Sequence, residues 1–348
     1  MGTTNSPIPR SSPACGSRER KPRPRKRGRG WGEGALLLLV SLAAHAAASP
    51  PPSLHTTWFA PRAAAFHQSS QQMAPAIESL CTASPEAAQA ALEKARSQWL
   101  ASLGAWERLS AVALGPVLER RSQRQIDFSP TRPRSIEKAV KAAPASAQDM
   151  EFIGTPAKGF PALEWLLWVK PVQPASPECR YAVQLAREIG REAEALTAAR
   201  PAVQEPQAAL SELLNQWIGG LERLRWASLE MPQRVAMTAA GKTVPDFPRK
   251  ASGAAPASWA AQWDALKSLA IGPDALESTL RGRGQGKTAD ALATAIRRAD
   301  AALAGLDGRD GERVLAAGQT LADLKRLAEG EVATALGVSI GFSDSDGD

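Results

Sequence analysis

The sequence places its most unusual ionisable residue, Glu164, inside an apolar run. It stands in Gly159-Phe160-Pro161-Ala162-Leu163-Glu164-Trp165-Leu166-Leu167-Trp168, four positions after Phe160 and directly before four apolar residues. A carboxylate withdrawn from water needs a charged partner, hydrogen bonds or a shift toward its protonated form. Three roles fit such a residue: a buried tie to a cation on another helix, a ligand- or metal-coordinating oxygen, and an acid–base group. The second charged stretch is Ile126-Asp127-Phe128-Ser129-Pro130-Thr131-Arg132-Pro133. Asp127 and Arg132 sit there in a proline-bounded loop, where binding residues are often carried. The same three roles apply to them, and Arg132 is a candidate cation for Glu164.

Other chemistries fail on spacing or composition. Gly282-Arg283-Gly284-Gln285-Gly286-Lys287-Thr288 imitates a phosphate loop, but the required first glycine falls at Arg281, and residues 276–280 read as helix rather than strand. A helix–helix loop is the better reading. Asp344-Ser345-Asp346-Gly347-Asp348 has acids at alternate positions, but its glycine comes early and no distal Glu follows. Of the three histidines, His45 lies in the leader described next, and His55 and His67 lie in a tether, so the folded body is expected to lack histidine. That excludes His-ligated zinc sites and Ser-His or Cys-His nucleophiles.

The charge of the chain is misleading as a whole. It has 42 Lys and Arg against 35 Asp and Glu, a net +7. Nine of those bases and two of those acids lie in residues 1–34, which leaves 33 of each for the rest. A neutral body has no field to draw in phosphate backbones, so no nucleic-acid partner is expected. The basic stretch precedes the apolar run Ala35–Ala44 and the small residues His45-Ala46-Ala47-Ala48-Ser49. These are the parts of a secretory signal, cleaved after Ala46 or Ala48. The reading is export to the periplasm or cell envelope, with no transmembrane span after cleavage, since a span needs about 20 apolar residues. Cys15 leaves with the leader, and Cys81 and Cys179 remain. In an oxidising compartment this pair is either one disulfide or two buried thiols.

The elements that must position these residues are helical. Ser84-Pro85-Glu86 and Ser176-Pro177-Glu178 each offer an N-cap, a proline and a first-turn acid. Apolar residues recur at helical spacing in Leu92, Trp99, Leu103, Trp106, Leu109, and again in Leu210, Leu213, Trp217, Leu221, Leu224. Trp259, Trp263, Leu266, Leu269 make another such stripe, with two more to the C-terminal side. Val338-Ser339-Ile340 is the best strand signal and is short. Prolines and glycines break the pattern, with Gly241–Pro256 a loop. The expected architecture is all-α: residues 1–48 a signal peptide, 49–72 a Pro/Ser/Gln-rich tether, 73–200 and 201–348 two helical halves resembling four-helix bundles, packed together.

Three blocks together resemble a known family. They are Ile126–Pro133 with Ser135-Ile136-Glu137-Lys138, Gly159–Trp168, and the terminus Gly337-Val338-Ser339-Ile340-Gly341-Phe342 with its acidic tail. In this order behind a leader they resemble the imelysin-like family, also called the M75 peptidase family. Ala105-Trp106-Glu107 and Leu114-Gly115-Pro116 are similar to its first long helix. The resemblance covers roughly residues 73–348. It implies two helical bundles with a site near their interface, and a bacterial envelope protein linked to iron acquisition. Peptidase-like members carry a G-x-H-x-x-E pattern proposed to hold a metal. Gly159 and Glu164 match its ends, but Pro161 stands at the His position and has no side-chain ligand atom. The chain therefore resembles the branch with Pro-Ala-Leu-Glu in that block.

The resemblance implies a ligand-binding set of Trp106, Glu107, Asp127, Arg132, Gly159 and Glu164, with no catalytic residue. If a metal ion is the cofactor, Glu164 is its ligand; the sequence does not name the cofactor. The expected function is a non-catalytic envelope protein that binds a metal, a metal complex or a partner among envelope iron-uptake components. The alternatives are an M75-type metallopeptidase and a purely structural bundle.

Overall fold

The computed structural model describes residues 54–200, 204–238 and 243–341. The expected signal peptide (1–48) and the acidic terminus (344–348) lie outside the described residues. Among the described residues the chain is helical with no strand. The Val338–Ile340 segment forms no strand. Asn215 holds it instead, donating to the Ser339 carbonyl and accepting from Gly341 N–H.

The N-terminal half is built on α1 (Ala60–Gln71), α2 (Met73–Cys81), α3 (Ala88–Ser110) and α9 (Pro177–Ala198). α1 and α2 each pack against both α3 and α9, which makes a four-helix bundle. α9 starts as its sequence predicts: the Ser176 hydroxyl accepts from Cys179 N–H, and Pro177 occupies the first turn. The matching Ser84 opening forms only a turn, and α3 begins at Ala88. Between α3 and α9 the chain makes a long excursion of short helices. These are α4 (Pro116–Glu119), α5 (Ser122–Ile126), α6 (Pro133–Ala142), α7 (Ala147–Glu151) and α8 (Gly159–Glu164), the last running into a π-helical turn at Trp165–Val169.

The C-terminal half contains α10 (Pro206–Glu222), a π-helical stretch at Arg223–Glu230, α11 (Met231–Thr238), α12 (Ala255–Ala270), α13 (Leu276–Gly282), α14 (Gly286–Leu303) and α15 (Gly311–Leu327). A π-helical turn at Ala328–Val332 and α16 (Ala333–Leu336) end it. α15 packs on α14, α10 and the Arg223–Glu230 stretch, while α12 packs on α14 and α10. The phosphate-loop imitation is the turn between α13 and α14, with Gly284 at φ +75°. α12 also packs along α3, so the two halves meet there and share one continuous apolar core. At the joint a Cβ on Gly220 would stand 2.3 Å from the Ala111 carbonyl oxygen, and Trp217 Nε1 donates to the Leu266 carbonyl at 2.8 Å.

One segment differs from expectation. The tether expected at 49–72 is, from His55 to Gln71, helical and part of the bundle. Phe59, Ala63, Phe66, Ser70 and Met73 recur every three or four positions, and all are buried. Phe66 is wholly buried against the rings of Trp106 and Phe160. Burying a side chain of that size stabilises by roughly 1.5–3 kcal/mol, which outweighs a polar local composition. His55 and His67 therefore belong to the folded body, contrary to the expectation that it lacks histidine. His67 faces Gln71 one turn on, at 3.1 Å.

Candidate functional site

Trp106 and Glu107 are neighbours near the end of α3 and point to different structures. Trp106 is buried among Phe66 and Phe160, and its Nε1 reaches out to donate to Asp127 Oδ2 at 2.9 Å. Glu107 turns toward the C-terminal half. Its Oε1 accepts from the Ser258 hydroxyl on α12 at 2.7 Å, and Gln262 Nε2 donates to that hydroxyl at 3.1 Å. Asp127 caps the end of α5.

Gly159 contributes backbone geometry rather than a ligand. It opens α8 at φ +70°, and a Cβ there would lie 1.9 Å from the Ile126 carbonyl oxygen. Only glycine lets α8 start this close to the end of α5. Glu164 stands at the far end of α8, where its charge, like that of Asp127, acts on Arg249. Glu164 is buried, as its apolar run implies.

The partner of these carboxylates is Arg249, which comes from the loop before α12. Its φ of +66° turns the loop back on itself, and Ala254 N–H closes the turn by donating to the Arg249 carbonyl. The guanidinium is buried and ion-paired to Asp127 Oδ1, with Glu107 Oε1 at 3.4 Å. The same loop offers Ser252, whose N–H and hydroxyl both donate to Glu164 Oε1, at 2.9 and 2.7 Å. Arg223, at the start of the π-helical stretch after α10, donates to the Ala111 carbonyl at 2.9 Å and faces Glu107 and Asp127.

Three carboxylates and two guanidinium groups thus share one largely buried site. Burial pushes the Glu107 carboxyl above its ordinary range, and the Asp127 charge adds to this. Arg249, the Ser258 hydroxyl and Arg223 oppose the rise without cancelling it. For Arg249, burial disfavours the charge, but Asp127, Glu107 and Glu164 outweigh it and hold the guanidinium above its usual value. For Arg223 burial prevails and lowers the pKa.

The structure brings together five of the six residues expected from sequence: Trp106, Glu107, Asp127, Gly159 and Glu164. Arg132 is not among them. It is exposed at the start of α6, so the expected Glu164–Arg132 tie is replaced by Ser252 and the Arg249 charge. Sequence reasoning missed Arg249, Ser252, Ser258 and Arg223. A signal for the first two existed: they lie in a loop bounded by Pro245, Pro248 and Gly253, the same feature that singled out Asp127.

A metal ion on Glu164 does not suit this donor set. Glu164 Oε1 already accepts two hydrogen bonds, and the charge facing the cluster is a guanidinium that would repel a cation. Among the described residues no three His, Cys, Asp or Glu side chains are grouped as metal ligands. Elsewhere in the N-terminal half, Cys81 and Cys179 are joined by a disulfide with Cα atoms 5.6 Å apart. No described helix is long and apolar enough to cross a membrane.

Comparison with known proteins bears on the fold and the family. The chain resembles the crystal structure of an imelysin-like protein from Psychrobacter arcticum, with TM-score 0.68 and 20% identity over 82% of this chain and 94% of that one. It also resembles a protein from Parabacteroides distasonis described as an iron-regulated protein A precursor, with TM-score 0.63 and 14% identity over 79% and 91% of the two chains. At these identities the likeness concerns the fold. No curated protein matches the sequence significantly. The imelysin model of the M75 peptidase family matches residues 59–336, nearly the whole described chain, and the chain therefore belongs to the imelysin family.

Proposed function

We propose that the chain is an exported, non-catalytic member of this family that acts in the periplasm or cell envelope in iron acquisition. In this reading the junction cluster receives a metal complex or docks a partner of the uptake machinery. One observation carries it: Glu107, Asp127 and Glu164 from the N-terminal half gather around Arg249 from a loop of the C-terminal half. Convergent polar groups between the helices of bundles are a recognised place for a ligand. The iron-regulated description of the Parabacteroides protein supports the iron context. The basic and apolar leader supports export. Pro161 at the His position of the family pattern favours binding over proteolysis, and the donor set at Glu164 favours a complex or a partner over a bare ion.

Ferric citrate and haemin, titrated by calorimetry into the chain lacking its leader, test this. Stoichiometric binding of one probe is expected, lost in Glu164→Ala and retained in Arg132→Ala. Unchanged binding in Glu164→Ala rejects the assigned site. Chelator-sensitive cleavage of casein by the pure protein would instead favour an M75-type metallopeptidase.

A further inference from the structure

The two sulfurs of the Cys81–Cys179 disulfide have different surroundings. Cys179 is wholly buried. Cys81 is half-buried and lines a surface cleft of about 270 Å³, to which Cys179 does not contribute. Pro144, Tyr181 and Gln184 wall the cleft, and Glu78 and Arg180 stand beside them. Of the two cysteines, only Cys81 is open to a thiolate entering this cleft.

The helices polarise the bond in the same sense. Cys179 is the third residue of the 22-residue α9. The helix N-terminus stabilises a thiolate at that position. Cys81 is the last residue of α2, where the helix presents its negative end. Its carbonyl accepts from Ala175 N–H at 2.9 Å, which fixes the α2 terminus against the chain leading into α9. Exchange is fastest when the leaving thiol has the lower pKa, so Cys179 is the better leaving group. Access and leaving-group chemistry agree.

We propose that Cys81 is a thiol-exchange site and that the cleft receives the reactive cysteine of a dithiol oxidoreductase. The incoming thiolate attacks Cys81 Sγ and forms a mixed disulfide. The Cys81–Cys179 bond breaks, and its electron pair leaves on the Cys179 thiolate. The second thiolate of the oxidoreductase then attacks its own first cysteine sulfur and expels the Cys81 thiolate. The net change oxidises the dithiol to a disulfide and reduces the Cys81–Cys179 bond by two electrons. The two protons of the dithiol end on the two freed cysteines. Run in reverse from the oxidised partner, the same steps install the bond.

The wild-type chain, folded, tests this without any variant. It is incubated with reduced glutathione, or with a dithiol oxidoreductase whose second cysteine is replaced by serine. The reaction is quenched with iodoacetamide and mapped by peptide mass spectrometry. The expected product carries the thiol adduct on Cys81 and the alkyl group on Cys179, in at least about tenfold excess over the inverse pattern. A majority on Cys179, an even split, or reaction only in denaturant that unfolds the chain overturns the proposal. The paired variants give a second reading. Because Cys179 is wholly buried, the Cys81 thiol left by Cys179→Ser should be alkylated at least about tenfold faster than the Cys179 thiol left by Cys81→Ser, access outweighing the more stable thiolate at Cys179, and equal rates reject the assignment.

Discussion

Glu192 and Glu107 are both buried, and each is held by an arginine and a serine from distant segments. Around Glu192, Arg120 donates through Nε and Nη2 at 2.9 and 2.7 Å, and the Ser122 hydroxyl donates at 2.6 Å. One carboxylate meets one two-pronged cation whose side chain is 39% exposed, so the charges cancel with little desolvation of the arginine. Around Glu107 the arginine side chain is only 6% exposed and is shared with Asp127 and Glu164. The first arrangement is a structural tie within the N-terminal half. The second has more acid than base, sits between the halves, and holds one carboxyl toward its protonated form. That difference is why the Glu107 cluster, and not the Glu192 tie, is the candidate site.

The comparison breaks first on the arginines. Arg249→Ala should destabilise by about 3–5 kcal/mol, because it leaves buried carboxylates without their cation. Arg120→Ala should lose only about 1 kcal/mol, since water reaches the vacated side of Glu192. Urea denaturation of both variants checks this, and equal losses would remove the distinction. The next largest effect concerns the approach that only the Glu107 cluster requires. Gly159→Ala puts a methyl group onto the Ile126 carbonyl at a positive φ, and should lower stability by about 2–3 kcal/mol. The Trp106 fluorescence environment should change with it, because Asp127 moves.

The smallest effect is in the pH response. The folded-state pKa of Glu107 is raised, so the folded chain binds that proton more tightly than the unfolded chain. Its contribution favours the fold below the ordinary glutamate pKa and is lost as pH rises from there through the raised value. Glu107→Gln should flatten that part of the stability–pH curve. Melting temperatures from pH 4 to 8 check the sign, and a wild-type curve no steeper than that of Glu107→Gln would contradict it.

Local patterns made the helices legible, and the stripes on α3, α10 and α12 are those the core uses. They also made the burial of Glu164 legible, because four apolar residues follow it. Its partner was not legible. Ser252 lies 88 residues away, and no local rule favours a loop donor at that distance over Arg132 close by. The helix at Ala60–Gln71 was obscured for another reason. Its Ser and Gln residues suggested a linker, while the stripe from Phe59 to Met73 is visible only when burial spacing is weighed above composition. The disulfide is intermediate: the sequence narrowed it to two cysteines, and the packing of α2 on α9 decided the pairing. Closing a loop of 98 residues in this way contributes about 4–5 kcal/mol in the chain-entropy account.

Gly220 bears on how the halves can move. Where helices meet through layers of side chains, they can slide by changing rotamers. At Gly220 the main chain of α10 lies directly on the main chain after α3, and Arg223 clamps the same Ala111 carbonyl. No rotamer layer exists there to absorb a slip. The contact pins the two halves main chain to main chain, and the carboxylate cluster is assembled from residues of both.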